Sequence, residues 1–265
     1  MVAIELRDVS KAYYSDRMKK SARLVLDGVN LSVKKGEFVA LVGPSGCGKT
    51  TILNLMAGFE PPTKGEVVAD GSMVVGPGPD RGVVFQEYSL MPWMDVIGNV
   101  KLALESKGVP EKDRHAIATE ALGKVGMLGF CHSRPNILSG GMKQRVAIAR
   151  LLAMDSSVFL MDEPFSALDE QTRRKLDRDL VKIWETTGKT IVMVTHSIEE
   201  ALMVSGRIVM FSDSPGKILG EWAVPDDLPR DLSSERFVAM REEIAGRLPA
   251  CLCERKGFVK WTAEK

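Results

Sequence analysis

A glycine-rich stretch between an apolar run and a helical segment constrains the fold of this chain most strongly. The stretch reads GPSGCGKTT and extends from Gly43 to Thr51. The residues before it, Phe38 to Val42, are apolar and of strand length, whereas Ile52 to Gly58 has helical character. Glycines at such a turn let successive backbone N–H groups point at an anion, and the helix beginning near Lys49 adds the positive end of its dipole. The sequence therefore predicts a phosphate-binding loop.

Three side chains of this loop have the chemistry to bind a nucleoside triphosphate. Lys49 would reach the β- and γ-phosphates, Thr50 would give its hydroxyl to Mg²⁺, and Thr51 could donate to the α-phosphate. A glycine-rich turn can match this pattern by accident, but the preceding strand makes an accidental match rarer. The loop residues predicted to contact nucleotide are Gly43, Pro44, Ser45, Gly46, Cys47, Gly48, Lys49, Thr50 and Thr51.

Composition and charge exclude several classes of protein. The 265 residues carry a formal net charge of +1, so the charge gives no case for nucleic acid as the main partner. No apolar run approaches the length of about 18 residues that a membrane span needs. The start, MVAIELRD, lacks the basic n-region of a signal peptide, so we expect none. The four cysteines, Cys47, Cys131, Cys251 and Cys253, have neither disulfide nor zinc-ribbon spacing, which favours a reduced, cytosolic setting.

Two aromatic residues, Tyr13 and Tyr14, lie between strands predicted over Val2 to Leu6 and Val29 to Val33. A tyrosine here could stack on an adenine ring, which offers a flat π-face, or it could simply pack within a hairpin. The basic residues that follow favour a solvated loop over a patch for lipid headgroups; they are Arg17, Lys19, Lys20 and Arg23.

Acidic and amide side chains follow two apolar strands. Val158 to Met161 ends in Asp162 and Glu163, and the strand from Arg81 to Phe85 ends in Gln86. Asp162 can hold Mg²⁺ through water, and Glu163 can orient and deprotonate an attacking water. Gln86 could offer its amide to Mg²⁺ or to that water, although a glutamine at a strand end is usually just solvated. The paired acids predict the second half of a site for nucleotide hydrolysis.

A serine and two glycines begin a long helix in LSGGMKQRVAIARLLA. Ser139 is placed as the N-cap, and Gly140 and Gly141 leave the first N–H groups unobstructed. This is compatible with an ordinary capped helix. Glycines at the first turn cost helix stability, however, so the pattern indicates a close approach to the backbone and fits a second anion site.

His196 ends the strand predicted over Thr190 to Thr195. A neutral imidazole can donate one N–H to a γ-phosphate oxygen. The alternative is an ordinary surface histidine.

The rest of the chain divides into segments of different character. Residues 91–155 have helical patterns, which predicts a helical subdomain inserted between core residues 1–90 and 156–224. A hairpin is predicted over Ile208 to Trp222, and prolines and acids after Val224 predict a linker. In the extension 225–265 one helix docked on the core is predicted, because apolar residues recur at helical spacing: Phe237, Met240, Ile244 and Leu248.

Together and in this order, these features resemble the nucleotide-binding subunit of an ATP-binding cassette (ABC) transporter. The resemblance covers Ile4 to Trp222. Its motifs are Walker A at Gly43 to Thr50, the Gln loop at Gln86, the signature at Leu138 to Met142, Walker B at Val158 to Glu163, the D-loop at Ser166 to Asp169 and the switch histidine at His196. It implies the α/β fold of P-loop NTPases, with a RecA-like mixed sheet core, an antiparallel β subdomain and an inserted helical subdomain.

The resemblance also implies residue roles and partners. It implies a head-to-tail dimer of two copies that buries two ATP molecules between the phosphate loop of one chain and the signature of the other. The implied catalytic residues are Glu163, His196, Lys49 and Gln86; the implied metal ligands are Thr50, Gln86 and Asp162; and the implied nucleotide contacts outside the loop are Tyr13, Ser139, Gly140, Gly141 and Asp169. Two positions depart from the family pattern, Met142, where Gln is frequent, and Gly206, where Asp is frequent.

Several phrases are similar to the importer branch that handles nitrate, sulfonates and taurine: GPGPDRGVVFQEYSLMPW, LSGGMKQRV, VTHSIEEA and SDSPGKI. This implies an ATPase bound to integral-membrane permease subunits on the cytoplasmic face of the inner membrane, with a solute-binding protein as an indirect partner. Export of lipids or drugs, an ABC ATPase acting on nucleic acid, and a non-hydrolysing ATP switch remain as alternatives.

Overall fold

The computed structural model describes residues 1–14, 22–225 and 230–247. Outside the described residues lie the predicted basic residues Arg17, Lys19 and Lys20, the linker residues 226–229, and the residues from Leu248 to Lys265. The described residues form two compact units. The first contains residues 1–77 and those from Val194 onward, and the second contains residues 78–193.

The first unit contains two groups of strands. They are β1 (Val2–Tyr14), β2 (Ala22–Lys34), β3 (Phe38–Val42), β4 (Lys64–Ala69), β5 (Ser72–Met73), β9 (Arg207–Phe211) and β10 (Ile218–Ala223). One group is an antiparallel sheet with the order β2, β1, β4 and β5, and in the other β10, β9 and β3 are neighbours in that order. β9 and β10 pair antiparallel, as predicted for the hairpin.

β1 and β2 are longer than the strands predicted over Val2 to Leu6 and Val29 to Val33. Register shifts interrupt their pairing between Leu6 and Val9 and again beyond Val9, and Asp8 has a positive φ of 48°. Each shift changes which residues face inward, so the alternation of apolar residues breaks there. For this reason the alternation indicates only part of each strand.

β3 carries the glycine-rich loop at its carboxyl end. All five residues of β3 are buried, and the strand pairs in parallel with β9, with Val42 opposite Met210. A strand covered on both faces is apolar throughout, which is the observed pattern. The loop leads into α1 (Lys49–Ala57), which begins at the lysine as predicted.

Two further helices complete the first unit, α6 (Ile198–Val204) and α7 (Glu235–Arg247). The apolar spacing predicts α7, and its Phe237 and Ile244 are buried. The seven-residue α6 was not predicted, although Ile198, Ala201 and Leu202 recur at helical spacing. Its sequence signal is a capping pattern, since Ser197 is the N-cap and its Oγ accepts from Glu200 N, 3.1 Å away.

The second unit has the strands β6 (Arg81–Val84), β7 (Val158–Asp162) and β8 (Thr190–Val194), with β7 between the other two. Its helices are α2 (Val96–Ser106), α3 (Glu111–Lys124), α4 (Gly140–Met154) and α5 (Glu170–Thr187), and α2, α3 and α4 pack against one another. β6 and β7 pair in parallel, so both carboxyl ends, with Gln86 and Glu163 just beyond them, lie at one edge. The predicted subdomain boundaries stay a prediction.

Candidate nucleotide site

The glycine-rich loop depends on glycine at its last turn. Gly48 is the N-cap residue of α1 and has a φ of 103°, in the left-handed region that glycine adopts without strain. A Cβ on Gly48 would also lie only 2.7 Å from Leu26 Cδ2. The backbone of Gly48 accepts from Ile52 N at 2.9 Å, which starts the helix. Conformation and lack of space therefore both require glycine here.

Lys49 places its ammonium inside this loop. The side chain is buried, and Nζ donates to Gly43 O at 2.7 Å and to Pro44 O at 2.8 Å. An ammonium has three N–H donors. The third N–H of Lys49 faces Cys47 Sγ, a weak acceptor whose sulfur lies 3.8 Å from Nζ. The loop thus combines a fixed positive charge with the N-terminal end of α1, and this combination attracts a phosphate.

Cys47 is buried beside this lysine. Burial raises the pKa of its thiol, because a thiolate would lose hydration there, and the nearby Lys49 charge opposes this effect only in part. The thiol is therefore protonated near neutral pH. A buried, protonated thiol is a poor nucleophile, so Cys47 contributes to the loop through its backbone and its packing.

Tyr13 lies beside the loop at the end of β1. Its hydroxyl donates to Glu60 Oε1 at 3.1 Å, and the ammonium of Lys11 lies 5.1 Å from its ring centroid. Partial burial raises the pKa of Tyr13, and a hydrogen bond with Thr51 acts in the opposite direction. That bond connects the aromatic ring to the loop. Tyr14 is equally exposed, at 40% for each residue.

The two carboxylates lie at the end of β7, where the chain enters a strained turn. β7 includes Asp162, and Glu163 follows with a φ of 43°, which is uncommon for a residue other than glycine. The turn is closed by Ser166, whose N and Oγ both donate to Glu163 O, at 3.2 and 3.0 Å. Strain of this kind persists only where surrounding contacts hold it, and it is frequent at active sites.

Gln86 is connected to the same turn. Its Nε2 donates to Ser166 Oγ across 3.4 Å. The structure therefore brings together the predicted Gln loop and the turn that carries Glu163. Ser166 was predicted only as the start of the D-loop, and its linking role depends on a pairing of distant segments that spacing does not reveal.

The predicted metal ligands have donor atoms that suit Mg²⁺. Thr50, Gln86 and Asp162 offer a hydroxyl, an amide oxygen and a carboxylate, and Mg²⁺ prefers oxygen ligands. Among the described residues no group of three or more His, Cys, Asp or Glu could hold a metal ion.

Ser139 caps α4 as predicted. It is exposed, and its Oγ accepts from Met142 N at 3.3 Å. Contacts within the chain explain why the next two residues are glycines. A Cβ on Gly140 would meet Leu168 Cδ2 at 2.7 Å and Tyr88 Oη at 2.8 Å, and one on Gly141 would meet a Thr172 methyl at 2.8 Å. Packing thus explains both glycines without a ligand, and the second anion site stays a prediction.

Arg150 holds the segment after Gln86 against α4. Its guanidinium donates to Tyr88 O and to Ser89 O, both at 2.7 Å. Burial lowers the pKa of Arg150, so these carbonyls compensate for lost hydration. The sequence shows an arginine on a helix but not which backbone oxygens it would reach. Sequence reasoning therefore missed it.

His196 and Asp169 occupy well-defined turns. His196 is exposed between β8 and α6, and the preceding Thr195 is fixed by its N–H, which donates to Leu41 O of β3 at 3.1 Å. Asp169 is the N-cap of α5 and accepts from Thr172 N at 3.0 Å, which lowers the pKa of its carboxyl.

Comparison with known proteins gives consistent matches. The ABC transporter family model matches residues 26–166. An uncharacterised ABC transporter ATP-binding protein of Methanocaldococcus jannaschii is 50% identical over 219 residues, covering 83% of this chain and 82% of the relative. A taurine import ATP-binding protein of Burkholderia pseudomallei is 46% identical over 219 residues, covering 83% of each. A nitrate import ATP-binding protein of Synechocystis is 44% identical over 228 residues, covering 86% of this chain and 84% of the relative.

A solved structure supports the same fold. The dimeric post-hydrolysis state of an ATP-binding cassette with bound ADP and Pi matches with a TM-score of 0.72 and 36% identity, covering 84% of this chain and 99% of that one. The predicted α/β P-loop NTPase fold and the predicted ATPase are thereby confirmed. The roles of individual residues stay predictions. The chain belongs to the ABC transporter family and is one of its ATP-binding, ATP-hydrolysing subunits.

Proposed function

We propose that this chain powers the import of a small anion or a sulfonate-type solute, such as nitrate or taurine. The relatives named as taurine and nitrate import proteins share 46% and 44% of residues with it over more than four fifths of both chains. The observation that carries the ATPase part is the buried Lys49 ammonium, held within the glycine-rich loop at the start of α1.

ATP would bind with its phosphates on the loop and its base at Tyr13. Loop N–H groups and Lys49 would hold the β- and γ-phosphates, and Thr51 would donate to the α-phosphate. The interaction of Thr51 with the Tyr13 hydroxyl supports a position of the base near the loop. On ATP binding, the single Thr51 hydroxyl proton would turn from Tyr13 to the α-phosphate. Thr50, Gln86 and Asp162 would hold Mg²⁺, which neutralises charge that develops on the phosphates.

Hydrolysis would use Glu163 as the base for an attacking water. The hydrogen bonds from Ser166 fix the backbone of Glu163, so its carboxylate can be oriented without further rearrangement. His196 would donate an N–H to the γ-phosphate. A second copy of the chain would add the start of α4, with the exposed Ser139 and the glycines Gly140 and Gly141, and its D-loop residue Asp169. The dimeric form of the solved cassette supports this dimer.

Exposed apolar side chains in the second unit support a permease partner. Trp93 and Ile137 are 68% and 69% exposed, and Leu128 and Phe130 are also exposed. Hydrogen bonds from Val96 N to Ser133 O and from Ile97 N to Cys131 O, both 2.9 Å, connect the segment after Trp93 to the segment after Phe130. Large exposed apolar groups of this kind mark interaction sites.

The membrane part of the transporter would come from other chains. No helix in the described part of the chain has the length and apolarity to cross a bilayer. We therefore infer integral-membrane permease subunits as partners, a peripheral position on the cytoplasmic face, and a solute-binding protein that this chain does not touch directly.

Reconstitution tests this proposal. The chain is co-purified with its permease subunits, placed in vesicles with the ATPase side accessible, and assayed for ATP-driven movement of labelled taurine and nitrate. We expect ATP-driven movement of at least one of these solutes out of the vesicles, towards the ATPase side, with loss of movement in the Glu163→Gln variant. Movement of neither solute, or ATP-driven transport of a lipid or drug away from the ATPase side, would contradict the proposal.

A further inference from the structure

Arg230 is a buried arginine outside the matched family region. It is 7% exposed, and the family model ends at residue 166. Its Nη1 donates to Leu202 O and to Ser205 O, both at 2.8 Å, and its Nε donates to Pro225 O at 3.1 Å. Burying a guanidinium is costly unless such partners replace water.

The carbonyls that Arg230 contacts belong to the end of α6. Leu202 lies in the last turn of this helix, and Ser205 is its C-cap residue. The last carbonyls of a helix have no partner within the helix and carry the negative end of its dipole. A positively charged donor at this point therefore fixes both the position and the direction of α6.

α7 covers the same short helix from the side. Phe237 and Ile244 of α7 are buried in one cluster with Ile198, Ala201 and Leu202 of α6. The two apolar side chains of α7 lie about two turns apart on one face of the helix, and both pack against α6. The C-terminal residues thus fix α6 by a cap and by packing.

α6 begins two residues after His196. Ser197 accepts from Glu200 N at 3.1 Å, and its own N–H donates to Thr195 Oγ1 at 3.0 Å. Thr195 Oγ1 also donates to the carboxylate of Glu200. The turn that presents His196 is therefore built onto the first turn of α6, and a tilt of the helix would move the imidazole.

We infer that Arg230 is a positioning residue for ATP hydrolysis. Its hydrogen bonds to the last carbonyls of α6 fix the orientation of this helix, and the orientation of α6 sets the direction of the His196 side chain towards the γ-phosphate. This inference rests on the proposed role of His196. The loop that binds the phosphates has its own hydrogen bonds, from Lys49 Nζ to Gly43 O and Pro44 O and from Ile52 N to Gly48 O. Loss of Arg230 should therefore slow the chemical step and leave ATP binding almost unchanged.

The first test compares variants of the full-length chain. Arg230→Met keeps the length of the side chain and removes its donors. We expect its kcat for phosphate release to fall about tenfold, since small misplacements of a reacting group are costly, while the Kd for ATP stays within about twofold. Arg230→Lys should recover most of the rate, because an ammonium can still donate to both carbonyls. Arg241→Met is the control. This α7 arginine is only partly buried, and its Nη1 lies 3.8 Å from Glu199 Oε1, too far for a strong hydrogen bond, so the kcat of the variant should equal that of the parent.

A double-mutant cycle with His196→Ala separates positioning from a general loss of structure. If Arg230 acts through His196, adding Arg230→Met to His196→Ala lowers kcat no further. Additive losses, an unchanged kcat in Arg230→Met, or failure of Arg230→Lys to recover the rate in a folded protein would overturn the inference. An unchanged kcat in His196→Ala alone would instead refute the proposed role of His196. This single variant therefore tests the proposed function separately from the inference about Arg230.

Discussion

The side-chain amide of Gln86 donates to Ser166 Oγ across 3.4 Å and so connects the Gln loop to the turn that carries Glu163. Ser166 in turn donates to the backbone oxygen of Glu163 at 3.0 Å. A displacement of Gln86 would therefore be transmitted to the position of the proposed base. This is a physical route by which a partner acting on the Gln loop could alter hydrolysis.

Ser166→Ala removes both hydroxyl bonds of this connection. A hydrogen bond of this type contributes about 1 kcal/mol, so we expect kcat to fall about fivefold, with an unchanged Kd for ATP. Steady-state phosphate release measures the change. Ser157→Ala is the control, because its hydroxyl also donates to a backbone oxygen in the second unit, that of Asp80 at 3.1 Å. Equal rates in both variants would exclude a specific role of Ser166.

Replacement of the two tyrosines decides which ring stacks on adenine. Stacking of a base on an aromatic ring contributes about 1–3 kcal/mol, so Tyr13→Ala should raise the Kd for ATP about tenfold or more. Tyr14→Ala is a matched control with the same exposed fraction and should change the Kd by less than twofold. Titration with a fluorescent ATP analogue gives both values. The reverse order of effects would assign the adenine to Tyr14.

Gly140→Ala tests the packing explanation for the signature glycines. The new methyl would lie 2.7 Å from Leu168 Cδ2 and 2.8 Å from Tyr88 Oη, so we expect a loss of about 1–3 kcal/mol in the free energy of unfolding. Gly123→Ala is the control, because its nearest neighbour lies at 3.6 Å and alanine favours a helix. Urea unfolding of both variants measures the difference. Full stability of Gly140→Ala would show that packing does not require the glycine.

The ion pair of Asp155 with Lys189 gives a pH dependence of stability. The Lys189 ammonium holds the pKa of the Asp155 carboxyl below its ordinary value of 3.8. The folded state therefore binds the proton less strongly than the unfolded state does. The contribution of the ion pair to the free energy of unfolding is therefore fully present above pH 3.8, and it is lost as the pH falls through the pKa of Asp155 in the folded state.

Asp155→Asn measures this contribution. Asparagine tolerates the positive φ of 51° at this position and removes the charge. Because the carboxyl is largely exposed, we expect the variant to lose less than about 1 kcal/mol at neutral pH, with a smaller difference at high salt. Urea unfolding from pH 7 down to pH 2 should show the two proteins converging. A difference that grows on acidification would contradict the sign of the shift.

The glycine-rich loop could be predicted because all its determinants are local. An apolar strand, the glycines and Lys49 are consecutive, and the helix begins where the pattern places it. The N-cap role of Ser139 was predicted for the same reason, and the cap that Asp169 forms, which was not predicted, is equally local. Their side chains bond to N–H groups only three residues away.

What the sequence could not show depends on contacts between distant residues or on broken periodicity. The full length of β1 is hidden by register shifts near Asp8, and the seven residues of α6 are too few for their apolar spacing to identify a helix. Arg230 contacts carbonyls 25 and 28 residues away, and no spacing rule reports such a pairing. Gly140 is likewise required by distant residues, because the side chains of Tyr88 and Leu168 leave no space for a Cβ.

The central claim, that two copies of the chain close on ATP and that Glu163 then hydrolyses it, is tested most directly by the molar mass of the Glu163→Gln variant. Light scattering after size exclusion is measured with ATP and Mg²⁺ and without nucleotide. We expect the mass to double with ATP and Mg²⁺, while Glu163→Gln combined with Lys49→Ala stays monomeric. A Glu163→Gln protein that binds ATP and remains a monomer, or that hydrolyses ATP at the parental rate, would contradict the claim.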